Sequence, residues 1–226
     1  MNNVIGVIFT VVFSYIIGSL NSPIIVCKLL KGKDIRDFGS NNAGLTNVLR
    51  VFGKGPALAT LLCDLAKGVV AVVTCRLVCH HLLGVAYFGD VHFIGYVAGL
   101  FVMLGHCFPV FYGFHGGKGV LIAATTLIAI DPLTCFFAVS LFAILLAITK
   151  YVSVGSIFAA ISYPVFTFLD QNFLYKALFP DKFYAVVPNT CVGICICILI
   201  VSLHHANISR LLNGTENKFG QKKKED

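Results

Sequence analysis

LTCFFAVSLFAILLAIT, residues Leu133–Thr149, holds no charged side chain. At about 1.5 Å rise per residue it makes a helix of about 25 Å, close to the roughly 30 Å hydrocarbon core of a bilayer. Moving outward, Lys150 ends the run, and Val154–Leu169 and Ala185–Leu203 repeat the pattern towards the C-terminus. Towards the N-terminus lie Val120–Ile130, His92–Leu104, Pro56–Leu83 and Val4–Leu20. Asn21-Ser22-Pro23 interrupts the first of these before Ile24–Leu30 carries on, so Pro23 is expected to kink one long helix. Val120–Ile130 is only about half a bilayer thick. If it begins part way into the membrane, the Gly-rich turn before it lies below the headgroups. The expected fold is all-α and polytopic, with about seven spans.

Composition agrees. The chain is 58% hydrophobic and only 12% charged, where a soluble domain carries about a quarter charged residues. The net charge of +7 raises nucleic acid as a partner. The basic residues, however, sit in short loops between apolar runs and in the tail, which is the pattern of membrane topology. Across seven spans, one side receives Lys28, Lys31, Lys33, Arg36, Arg50, Lys54, Lys118, Lys150, Arg210, Lys218 and Lys222–Lys224. The other receives Arg76, Lys176 and Lys182. The bias predicts an external N-terminus and a cytoplasmic C-terminus. Residues 1–212 read as one transmembrane domain and 213–226 as a polar basic tail, whose Lys222–Lys224 run suits anionic headgroups.

Most of the nine Cys residues lie in apolar runs, where Cys behaves as a small hydrophobe. Cys75, Cys79, His80 and His81 cluster, but no CxxC pair occurs, and the group reads as a helix end with interfacial histidines. No metal or cofactor is expected. The start, MNNV, lacks the basic region of a cleavable signal peptide.

Three polar stretches break the apolar pattern, all on the predicted cytoplasmic side: Gly39–Arg50 (GSNNAGLTNVLR), Gly105–Gly119 (GHCFPVFYGFHGGKG) and Lys150–Ser156 (KYVSVGS). Small residues free backbone N–H groups, and Arg and Lys add charge, so such loops suit phosphates. In the first, Ser40, Thr46 and Asn47 supply neutral polar groups, and Arg50 offers a fork for phosphate. In the second, Gly116-Gly117-Lys118-Gly119 places one ammonium among backbone donors at a helix N-terminus, without the spacing of a Walker A loop. His106 is a candidate base beside it. In the third, Ser153 and Ser156 share a helix face unless Ser153 is spent as a cap. Asp64 and Lys67, three apart within a span, read as a structural ion pair. The last span ends in HHANISRL, where His204, Asn207 and Arg210 flank the cytoplasmic mouth, and Glu216 follows in the tail.

These stretches resemble the signatures of the bacterial acyl-phosphate:glycerol-3-phosphate acyltransferases, the PlsY family. GSNNAGLTNVLR is similar to G-S-x-N-x-G-x-T-N-x-x-R, and GHCFPVFYGFHGGKG to G-H-x-F-P-V-F-x-x-F-x-G-G-K-G. KYVSVGS resembles the Ser-bearing third loop, CDLAKG a D-x-x-K-G pattern, and HHANISRL with GTE the C-terminal segment. His205 stands where the family usually has Arg, and His115 where Lys is frequent. The resemblance implies a seven-span enzyme of the bacterial cytoplasmic membrane. It would move an acyl group from a long-chain acyl phosphate to the 1-hydroxyl of sn-glycerol 3-phosphate, giving lysophosphatidic acid and phosphate. It implies that Ser40, Arg50, Lys118, Ser153 and Asn207 hold glycerol 3-phosphate, and that Thr46, Asn47, Gly116 and Gly117 form the acyl-phosphate pocket. Membrane lipid surrounds the acyl tail, and the enzyme that makes acyl phosphate is an expected functional partner. Attack is expected to be direct, with the acyl phosphate's own oxygen or His106 taking the proton.

Two rival classes share some features. A transporter of phosphorylated solutes also needs basic, Gly-rich loops at broken helices, but here the polar stretches gather on one face. A transferase using a CDP-linked donor would carry an Asp-rich metal motif, which the sequence lacks.

Overall fold

The computed structural model describes residues 1–220. The Lys222–Lys224 run therefore lies outside the described residues. The elements are α1 (Asn2–Ser19), α2 (Ser22–Lys31), α3 (Leu45–Phe52), α4 (Lys54–Leu77), α5 (Phe93–Cys107), α6 (Val120–Ile130), α7 (Pro132–Thr149), α8 (Val152–Leu169), α9 (Tyr175–Leu178), α10 (Val186–Leu203) and α11 (His205–Leu212). Among the described residues the only β pairing is one isolated bridge, Tyr87 with Asp90. Six helical segments are long and apolar enough to cross a membrane, and α6 is a shorter apolar helix. The protein is thus an all-α, multi-pass membrane protein of roughly seven spans.

The expected kink is a clean break. α1 ends at Ser19, and Asn21 caps α2 by accepting from the Ile24 N–H at 3.3 Å. Pro23 sits in the first turn of α2, where its missing N–H costs nothing.

Lipid offers helices no hydrophobic reason to associate, so close backbone approach through small residues must hold them. α1 buries Gly6, Thr10, Ser14 and Gly18, four apart on one face. A Cβ on Gly18 would lie 2.1 Å from the Val102 carbonyl oxygen of α5, and one on Gly105 would lie 2.2 Å from that of Tyr15. α6 wedges between α4 and α5 in the same manner: Thr125 packs on Gly68 and Thr126 on Gly99. Both threonine hydroxyls donate back into their own helix, so no polar group is stranded.

α6 and α7 meet at Asp131, which ends the first and caps the second by accepting from Thr134 N at 3.1 Å. α7 is seven residues longer (18 against 11). The N-terminus of α6 therefore stops about 10 Å short of the far end of α7. The Gly-rich turn preceding α6 is recessed by that distance. A separate small apolar pack of Ile24, Cys27, Ile35, Ala43, Val48 and Ala57 seats α2, α3 and the loop between them at the same end.

Candidate functional site

The first loop is built around Asn47, which is 2% exposed. Its carbonyl oxygen accepts the Ser40 N–H at 3.0 Å, and its amide donates to the carbonyls of Phe38 at 2.9 Å and Asn42 at 3.1 Å. Gly39 has φ +64°, and a Cβ there would fall 2.3 Å from Asn47 Oδ1. The amide donors of Asn47 thus point at its own loop, while Ser40, Thr46 and Arg50 line a cleft.

A feature missed by the sequence reading ties this loop to the second. Arg36 donates to the carbonyls of Tyr112 at 2.8 Å and His115 at 3.2 Å, and Asp34 grips it at 2.9 and 3.0 Å. The hydrogen bond from Arg36 holds the Asp34 carboxyl down at about 2, against the opposing effect of burial. A short acidic–basic pair two residues apart carries no sequence signal of its partners nearly eighty residues away.

In the second loop, Gly116 and Gly117 donate their N–H groups to the Cys107 and His106 carbonyls at 3.0 and 3.1 Å. They satisfy the carbonyls that end α5. Both must be glycine for another reason: a Cβ would lie 2.0 Å from His106 O at position 116 and 2.2 Å from His106 Nε2 at position 117. The amides left open are those at the start of α6, which has no side-chain cap and whose Gly119, Val120 and Leu121 line the cleft. α3 and α8 also begin without side-chain caps, and Leu45, Thr46, Val152 and Ser153 of their first turns line the same cleft. Three helix N-termini, each equivalent to roughly half a positive charge, converge on one space. The position before α8 is Tyr151, so Ser153 does not cap it; its hydroxyl is buried beside Glu216.

The fourth wall is α11 and the tail. Lys118 donates to Asn207 Oδ1, Asn207 Nδ2 donates to Glu216 Oε1 at 2.8 Å, and Arg210 Nε donates to Glu216 Oε2 at 2.6 Å. Phe219 N donates to the Lys150 carbonyl at 2.7 Å, fastening the tail across the start of α8. Burial pulls the Lys118 ammonium down to about 8, with Arg210 adding to the effect and Glu216 opposing it. Burial pushes Glu216 up, but hydrogen bonds from Asn207 and Arg210 outweigh it and hold the carboxyl below its ordinary value. His204 is drawn down to about 4, mainly by burial. Its Nδ1 bonds the Ile200 carbonyl at 2.7 Å, which fixes Nδ1 as the donor and leaves Nε2 as an acceptor.

The cleft is about 560 Å³, within the usual range for small-molecule sites of about 300–1,000 Å³. Of the sequence candidates, Ser40, Thr46, Asn47, Arg50, Asp64, His106, Lys118, Ser153, Ser156, His204, Asn207 and Glu216 all line it, as does Arg210. Lys67, Gly116 and Gly117 stand behind the wall. Below the polar mouth the cleft continues between α6, α7, α8 and α10, past Ala123, Leu127, Phe142, Ala160 and Ile200 to Tyr163. Sequence reasoning named no residue of this apolar arm. Its small residues on α8, Ala159 and Ala160 below Ser156, are the signal that would have marked it. Among the described residues no three His, Cys, Asp or Glu side chains gather as metal ligands. Cys75 and Cys79 instead contact Ser14 and Thr10 within the bundle.

A membrane-embedded bundle with cations and uncapped helix ends at one mouth, opening into an apolar groove, belongs to the class of proteins that handle amphiphilic anions. A family model described as glycerol-3-phosphate acyltransferase matches residues 8–214. The glycerol-3-phosphate acyltransferase of Chlorobaculum parvum is 40% identical, over 92% of this chain and 95% of its own. That of Clostridioides difficile is 38% identical, over 96% and 97%. The crystal structure of PlsY (YgiH), an integral membrane glycerol 3-phosphate acyltransferase, in its glycerol 3-phosphate form superposes with a TM-score of 0.75 at 33% identity, covering 95% of this chain and 96% of that one. Its lysophosphatidic acid form gives 0.73 at 31%, covering 95% of each. The chain belongs to the glycerol-3-phosphate acyltransferase family.

Proposed function

We propose that the protein transfers a fatty acyl group from acyl phosphate to the 1-hydroxyl of sn-glycerol 3-phosphate, forming lysophosphatidic acid and inorganic phosphate. The observation that carries this reading is the continuity of the cleft: a mouth of Arg50, Lys118, Arg210 and three helix N-termini leads directly into an apolar groove. That shape suits one small anion beside the phosphorylated head of a fatty chain.

Ser40, Arg50, Lys118, Ser153 and Asn207 hold glycerol 3-phosphate. Thr46 and the open amides at the starts of α3 and α6 take the acyl phosphate. Asn47, Gly116 and Gly117 shape that pocket rather than donate into it, because their N–H groups are committed within the protein. Ser156, His204 and Glu216 support the ring of donors, and Asp64 with Lys67 supports it from α4. The glycerol hydroxyl oxygen attacks the carbonyl carbon and the ester bond forms. The bond from that carbon to the phosphate oxygen breaks, and the hydroxyl proton ends on the departing phosphate. Phosphate is already a competent leaving group, so the site supplies mainly orientation, worth up to about 7–11 kcal/mol, and fixed donors for the developing negative charge.

Lys and Arg distribution supports an external N-terminus, with the C-terminus and the cleft mouth cytoplasmic. Residues 1–212 form the catalytic domain, and 213–226 form a tail that lends Glu216 to the site. The enzyme that makes acyl phosphate is the expected functional partner, since it supplies the donor.

The test is to mix purified protein with palmitoyl phosphate and labelled glycerol 3-phosphate and to look for labelled lysophosphatidic acid. Product with palmitoyl-CoA but not with palmitoyl phosphate would overturn the donor. Uptake of label into proteoliposomes without any lipid product would make the protein a transporter.

A further inference from the structure

Behind the cleft sits a buried group to which the reaction above gives only a general supporting part. Lys67, 8% exposed, stands on α4 between Asp64 of the same helix and His106 of α5. Its ammonium lies 2.8 Å from Asp64 Oδ1, 3.3 Å from the Leu20 carbonyl and 3.0 Å from His106 Nδ1. The Asp64 contact is an ion pair, and Asp64 Oδ1 keeps unfilled hydrogen-bonding capacity. An ammonium has three protons and no lone pair. Three acceptors face it, and the imidazole nitrogen among them must be unprotonated.

We infer that Lys67 is a positioning residue: it holds His106 as the neutral Nε2–H tautomer, so that His106 serves the acyl-transfer site as a hydrogen-bond donor and not as its proton acceptor. Asp64 Oδ1 is 3.9 Å from His106 Nδ1, too far to compete for that nitrogen. Nε2 has no hydrogen-bond partner among the described residues. It faces the junction of the first two loops, where a Cβ on Gly117 would meet both Nε2 and the Ala43 carbonyl. The break between α1 and α2 fixes the last turn of α5 from the other side, through Asn21 donating to the His106 carbonyl at 3.1 Å. The titratable groups around the ring are Asp64 and Lys67 on α4 and Cys107 beside it on α5. The α1–α2 break presents only the Leu20 carbonyl and the Asn21 amide, and the second loop presents Gly117 backbone. His204 across the cleft has the opposite arrangement: its Nδ1 is the donor and its Nε2 the acceptor. The two imidazoles therefore offer the cleft one N–H and one lone pair.

This inference rests on the acyltransferase reading, and its test separates the two. Protein with 15N-labelled histidine, in lipid nanodiscs, is followed from about pH 5.5 to 8, the range in which an ordinary His titrates. The His106 signal, assigned by its loss in His106→Gln, is expected to show protonated Nε2 and bare Nδ1 throughout. In Lys67→Met it is expected to titrate. A wild-type His106 that carries its proton on Nδ1, or that titrates in this range, overturns the inference even if Lys67→Met fails to fold. With palmitoyl phosphate and glycerol 3-phosphate, His106→Gln keeps an N–H donor and is expected to exceed His106→Ala about tenfold in kcat, whereas loss of a general base, worth about 10²–10⁴, would leave both equally dead. Absence of any product from wild-type protein would defeat the acyltransferase reading while the tautomer measurement stood.

Discussion

Both ends of the helical bundle bury charge, but they finish it differently. At the end away from the cleft, Asp131 accepts from the hydroxyls of Tyr96 at 2.8 Å and Tyr175 at 3.0 Å and from Thr134 N. Asp90 accepts from His92 N, Ala185 N and Asn189 Nδ2, and Asp170 accepts from Thr134. Gln171 bridges Tyr96 and Asn189. Each carboxylate there is answered by donors of the protein itself. At the cleft end, three helix starts without side-chain caps and the exposed Arg50 line open space. Donors and a cation left facing a cleft are free to meet an anion there. The far end is saturated in its carboxylates and the cleft end unsaturated in its donors, and that difference distinguishes scaffold from site.

The comparison breaks first at Lys118. Lys118→Ala or Arg50→Ala removes a fixed cation facing phosphate and is expected to lower kcat/KM by about 10²–10³, with thermal unfolding in detergent unchanged; near-normal kinetics in both would show that the unsaturated end is not the site. Next comes pH. Lys118 carries its proton below about 8 and loses it above, and bound phosphate favours the charged form. The apparent KM for glycerol 3-phosphate should therefore rise as pH passes upward through about 8, approaching tenfold per unit, and Lys118→Arg, which stays charged, should flatten that limb. Arg36→Ala should unfasten the first loop from the second, raising KM severalfold with a smaller change in kcat, measured by steady-state kinetics at saturating acyl phosphate. Smallest on activity is the saturated end: Asp131→Asn gives up charge-assisted hydrogen bonds worth about 1.5–3 kcal/mol each. It should lower Tm by about 5 °C and leave kcat/KM within twofold of wild type, about 0.4 kcal/mol.

The spans were legible because hydropathy is a local property, and Leu133–Thr149 states its place without help from any other residue. The cleft's charged members were legible for a related reason: an Arg or Lys beside a run of small residues in an otherwise apolar chain is costly unless used. Asn47, Gly116 and Gly117 show where that reasoning stops. Their residue types fit anion binding and loop construction equally, and only the carbonyls they meet decide between the two. The Asp131 network was invisible for a simpler reason. Tyr96, Asp131, Gln171 and Asn189 sit on different helices, and no sequence period links them.

The strap from Glu216 to Phe219 has a consequence for how the protein comes into being. All the long apolar helices precede it, so the chain can be threaded into its bilayer while Asn207 and Arg210 still lack their carboxylate and the strap is still inside the ribosome. The closure of residue 219 over Lys150 is therefore among the last contacts of the cleft wall to form.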